Sequence, residues 1–145
     1  MSTRATYQIK SGFSTATFYI HHDGYLSGAA SYFKDTLDLM RISDRPFLPC
    51  FLWANERAEL TDGHEAHGDT EYRYDVKKRI DGWFVAAYKR KSYDSDVFEM
   101  EWSGPIANFV SQHAKQEAAY AALNANFHRL QYSDTESWLP TKPTP

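Results

Sequence analysis

The chain has 145 residues, a formal net charge of −3, 42% hydrophobic and 16% aromatic residues, and a single cysteine, Cys50. That length suits one domain with one core, and the apolar content argues against disorder. The charge argues against a general nucleic-acid binder, the lone cysteine excludes an internal disulfide or a CxxC metal site, and no apolar run approaches the roughly 20 residues of a membrane span.

The first predicted element is a β-hairpin. Ala5, Tyr7 and Ile9 alternate with polar residues, "SGFS" makes the turn, and Phe18, Ile20 and His22 alternate against Thr17, Tyr19 and His21. Asp23-Gly24 is a turn signal. Ser27 or Gly28 is expected to cap a helix whose apolar positions Ala30, Phe33, Leu37 and Met40 form one buried stripe.

Pro46 and Pro49 punctuate the next segment, and Pro49 fits the first turn of a short helix running through Trp53-Ala54-Asn55. Cys50, in an apolar run, is expected in the core. "TDGHEAHGD" reads as a polar loop. Three strands follow, "TEYRYDV", "WFVAAYK" and "VFEMEW", joined by turns. Pro105 opens a helical region to about Gln131, as one helix or two with a break near His113. The predicted fold is α+β, an antiparallel sheet of about five strands with two to four helices on one face, in the order ββα(α)βββα. Residues 1–132 are expected to make one domain and residues 133–145 a Pro-rich tail.

Two motifs at strand–loop junctions concentrate the chemistry: "HHDGY" at 21–25 and "HEAHGDTEY" at 64–72. They are expected to meet at one end of the sheet, on neighbouring strands. His64, His67 and Asp69 are the residue types that hold Zn or Mn. His21, Asp23, His67 and Asp69 are candidates for acid–base catalysis, because imidazole titrates near neutrality and a carboxylate can orient it. Tyr25, Tyr72 and Tyr74 can stack on a polar ligand, with Arg4, Arg73 and Lys10 meeting its phosphates. The structural alternative is that Asp23 and Asp69, each beside a glycine, shape turns or hold the Tyr25 or Tyr72 hydroxyl. No G-x-S-x-G, P-loop, H-E-x-x-H or Rossmann glycine pattern is present, so catalysis is the less favoured expectation and no cofactor is expected.

"TRATYQI", "FYIHHDGY-SGAA" and "AHGDTEYRYDV" resemble a group of small uncharacterised phage, prophage and bacterial proteins. Their shared pattern is an Arg-Ala-x-Tyr opening strand, a "HWDGYP-G" junction and a "HGD-EY-Y" strand. His22 stands here for the Trp and Leu26 for the Pro, and the likeness spans roughly residues 3–76. The resemblance implies a mobile-element accessory gene, a class that often encodes inhibitors or sponges of host defence. The expected function is therefore an accessory binding protein that sequesters a host protein or a small nucleotide-like ligand. It is expected in the cytoplasm (the host's, if phage-encoded), without membrane association, and as a homo-oligomer if an aromatic sheet face stays uncovered. A small metal-dependent or acid–base hydrolase and a purely structural interaction module are the alternatives.

Overall fold

The alternating segments "ATYQIKS" and "STATFYI" form β1 (Ala5–Ser11) and β2 (Ser14–Ile20), paired antiparallel from Ala5 opposite Ile20 to Ser11 opposite Ser14. The computed structural model describes residues 3–114. Expectations for the helix beyond residue 114, for the tail and for the domain boundary at 132 lie outside the described residues. Among those described, no helix is long and apolar enough to cross a membrane.

After β2 come α1 (Leu26–Ser43) and α2 (Phe47–Ala54), then β3 (Glu59–Thr61), β4 (Tyr72–Arg79), β5 (Gly82–Arg90), β6 (Phe98–Pro105) and α3 (Ile106–His113). The class is α+β and the expected order holds, with two corrections. The sheet has six strands, ordered β3-β2-β1-β4-β5-β6. It is also mixed, because β1 and β4 run parallel, with Tyr7 opposite Tyr74 and Lys10 opposite Lys77. The reason lies in the connection. An antiparallel neighbour can follow a tight turn, whereas a parallel one needs a long crossover. Here α1, α2, β3 and the segment 62–71 together return the chain to the end where β1 began. The added strand β3 has only three residues, too few for an alternation signal.

One face of the sheet carries the core. Tyr7, Ile9, Phe18, Ile20, Tyr74, Val76, Val85 and Ala87 pack against Ala30 and Phe33 of α1, Phe47 and Phe51 of α2, and Ile106 and Phe109 of α3. Tyr7 and Tyr74 stack at 4.8 Å between ring centroids, with Phe33 edge-on to both. Each such ring contributes about 1.5–3 kcal/mol by leaving water. Cys50 is buried and free, as expected.

Helix boundaries differ in detail from the expectation. Tyr25, not Ser27 or Gly28, is the N-cap of α1, and its side chain makes no capping bond. Asp44 ends α1 in a left-handed conformation, its N–H donating to the Met40 carbonyl. Pro46 precedes α2, and Asn55 closes it by donating from Nδ2 to the Phe51 carbonyl.

Candidate functional site

The two motifs share one end of the sheet, but only His21 of the first lies on the face that carries the second. β1 lies between the strands that carry them, so they are not on neighbouring strands. The 21–28 junction turns toward the helices, and the 62–71 segment crosses the opposite face.

The junction is held chiefly through its backbone. The Gly24 N–H donates to the Thr3 carbonyl at 2.9 Å, and the Tyr74 hydroxyl donates to the Gly24 carbonyl at 2.6 Å. Asp23 has φ of 57°, a left-handed conformation that most side chains resist and Asp tolerates comparatively well. A Cβ at Gly24 would lie 2.7 Å from the Ala5 Cβ, and one at Gly28 only 2.0 Å from the Asp23 carbonyl oxygen. The glycines therefore let the first turn of α1 close onto the strand end. The Tyr25 hydroxyl donates to Asp23 at 3.0 Å, one of the two bonds expected for that carboxylate. His22, expected on the core face by alternation, is exposed because β2 ends at Ile20.

On the opposite face the loop is held by side chains. The fully buried Thr6 hydroxyl donates to His64 Nδ1 at 2.6 Å, and His64 Nε2–H donates to Asp75 at 2.7 Å. The acceptor-only carboxylate assigns this tautomer. The chain has the composition of a hydroxyl–imidazole–carboxylate relay, yet Thr6 is 0% exposed and offers no oxygen to a substrate. The geometry is that of a clasp pinning the loop to β1 and β4. Both His64 nitrogens are thus engaged.

A second cluster sits beside it. The His67 ring stacks on Tyr19 at 3.8 Å between centroids, and its Nε2 bonds the Thr61 hydroxyl at 2.9 Å. The Tyr19 hydroxyl donates to Asp69 at 2.7 Å, and Arg4 pairs with the same carboxylate at 3.3 Å. Burial and then the Asp69 hydrogen bond push the Tyr19 phenol well above its ordinary range. His21 lies edge-on to Tyr19 and bonds Glu59. So His21, His67 and Asp69 gather around Tyr19, while Asp23 belongs to the junction on the helix side. Tyr19, rather than Tyr72, holds Asp69. Among the described residues, no three His, Cys, Asp or Glu side chains are grouped as a metal ion would require.

The expected ligand set is also divided. Tyr74 is fully buried and Tyr72 stacks on it from the core face, whereas Arg73 points to the opposite face. There Arg73 lies over the Phe98 ring at 3.9 Å, and Arg90 lies over the same ring at 4.6 Å. The two cations differ. Arg90 donates to the carbonyls of Gly68, Thr70 and Ser95, tying three chain segments together. Arg73 has no hydrogen-bonded or ion-pair partner among the described residues, and its Nε is buried without an acceptor. Burial pulls its pKa below the ordinary arginine value, with Glu65, Asp75 and Asp96 opposing that through space and Arg90 reinforcing it.

Thr6, Asp75, Glu59, Arg90 and Phe98 escaped the sequence reading. Thr6 and Asp75 were traceable as polar residues at the outward positions of otherwise apolar strands. Glu59 sits on a strand too short to recognise. No family model matches this chain, and no curated protein or solved structure matches it either.

Proposed function

We propose that the chain is a non-catalytic accessory binding protein of the phage and prophage kind, which acts in the cytoplasm by capturing a nucleotide-like ligand on the open part of its second sheet face. The observation that carries this reading is Arg73: a guanidinium stacked on Phe98 whose buried Nε has no acceptor, with Glu65, Asp75 and Asp96 acting on it only through space. A phosphate would supply the charged hydrogen bonds it lacks. In the sheet register Tyr88 stands directly opposite Arg73, and Met100 directly opposite Tyr88. Aromatic and polarisable surface therefore adjoins the cation, the pairing by which bases and phosphates are held without strong sequence preference. The loop 62–71 lies over β1 and β2 and reaches β4 at Asp75 and β5 at Arg90, and none of the helices α1–α3 packs on this face among the described residues.

The test is titration of the purified chain with mono- and dinucleotides, followed by calorimetry and tyrosine fluorescence. Saturable binding is expected, and Arg73→Ala should weaken it about tenfold or more, as loss of a stacked, charged contact does. Binding that is absent for every nucleotide, or unchanged in Arg73→Ala, overturns the reading. If a second copy occupies the face instead, sedimentation will show a dimer that Arg73→Ala and Met100→Glu dissociate.

A further inference from the structure

At the end of the sheet remote from Tyr19, two hairpin tips lie side by side. Ser11 pairs with Ser14 and Arg79 pairs with Gly82, so Gly12-Phe13 and Ile80-Asp81 are two-residue turns. β1 and β4 are parallel neighbours with Lys10 opposite Lys77, so both turns leave the sheet at the same level and in the same direction. Each exposes its apolar residue completely: Phe13 at 110% and Ile80 at 108% of the reference value. A two-residue turn needs a flexible or polar residue, which Gly12 supplies with φ of 63° and Asp81 by type. It does not need Phe or Ile, so turn chemistry leaves both unexplained.

The surroundings of the tips are basic. Lys10, Lys77, Lys78 and Arg79 are all exposed within the two strand ends, against the single acid Asp81. This contrasts with a chain of net charge −3 and with the opposite end, where Asp23, Glu59, Asp69 and Glu71 are exposed. Lys89 and Lys91 are also exposed at that opposite end, among these acids, whereas at the tips the cations face only Asp81, so an anionic surface would attract the tips.

We infer that Phe13 and Ile80 are anchors for an anionic lipid surface, inserted between headgroups while Lys10, Lys77, Lys78 and Arg79 lie at phosphate level. A fluid interface suits two separate protrusions, because it closes around each one without needing a preformed pocket. Self-association through the tips is disfavoured, since it would bring cations against cations. The contact is peripheral, and it departs from the sequence expectation of no membrane association, which rested on the lack of a span. It is independent of the nucleotide reading, for it uses other residues at another edge of the sheet.

The experiment is flotation of the full chain with phosphatidylcholine vesicles, with and without phosphatidylserine. Binding is expected to need the anionic lipid and to weaken with salt, as polybasic contacts do. Phe13→Ser with Ile80→Ser should lower the partition coefficient about tenfold or more, given the apolar area withdrawn from the interface. Lys77→Glu with Lys78→Glu should remove the preference for phosphatidylserine. All four positions are exposed, so circular dichroism and melting should match the parent chain, and nucleotide binding through Arg73 should persist. A chain that ignores anionic vesicles, or pairs of variants that bind them as well as the parent, overturns the inference.

Discussion

The 21–28 junction starts, and the 62–71 loop finishes, at the same end of one sheet, and both present His, Asp and Gly in a short run. They are secured by different means. The junction is fixed by backbone hydrogen bonds and close approach, with Gly24 against Ala5 and Gly28 against the Asp23 carbonyl. The loop is fixed by imidazoles, through His64 to Thr6 and Asp75 and His67 to Tyr19 and Thr61. The first arrangement tolerates no added atom. The second depends on particular polar atoms, and replacing those should loosen it without crowding anything.

The largest effect expected from this contrast is at Gly28. Gly28→Ala gains roughly 1 kcal/mol of helix propensity. It must also displace the Asp23 carbonyl, 2.0 Å from the new Cβ. A net loss of about 3 kcal/mol is expected in denaturant unfolding. A variant as stable as the parent would show that the junction has slack and would erase the contrast.

His64→Ala should cost about 2 kcal/mol, because it strands the buried Thr6 hydroxyl. Hydrogen exchange should quicken in residues 62–71 and stay unchanged at Gly24. Equal acceleration at both places would mean that the regions are coupled rather than separately secured.

Alkaline titration probes both regions together. Burial drives the phenols of Tyr7 and Tyr74 upward, and burial with the Asp69 bond does so for Tyr19. The unfolded chain releases these protons near pH 10 while the folded chain retains them. Their contribution is therefore complete below about pH 10 and is lost as pH rises beyond it. Tyrosinate absorbance should rise with unfolding rather than before it for these three. Tyr74→Phe also removes the donor to the Gly24 carbonyl, so it should destabilise the junction at neutral pH as well as making the alkaline loss less steep.

The smallest effect separates two explanations of Asp23. Its φ of 57° makes Asp23→Ala cost about 1 kcal/mol, while Asp23→Gly should be neutral within roughly 0.5 kcal/mol. If both variants lose the same stability, the Tyr25 hydrogen bond rather than the backbone accounts for the aspartate.

The amino-acid order by itself determined the local elements. Period-2 alternation marked β1, β2 and β4, the Ala30–Phe33–Leu37–Met40 spacing marked α1, and Pro49 and Pro105 marked helix starts, because these signals act within a few residues. In β6 the expected alternation, with Phe98, Met100 and Trp102 on one face, fails: a register shift leaves Trp102 against Phe109 of the core and Phe98 on the opposite face under Arg73. Which strands became neighbours was decided by tertiary structure. The parallel β1–β4 pair depends on where a crossover of some fifty residues returns, and no local pattern records that. The division of the His-Asp residues between two faces has the same origin. His21 and Asp23 are two positions apart in the chain, yet His21 packs on Tyr19 while Asp23 turns toward α1, because β2 ends at Ile20 and the chain changes direction at Asp23, where φ is 57°.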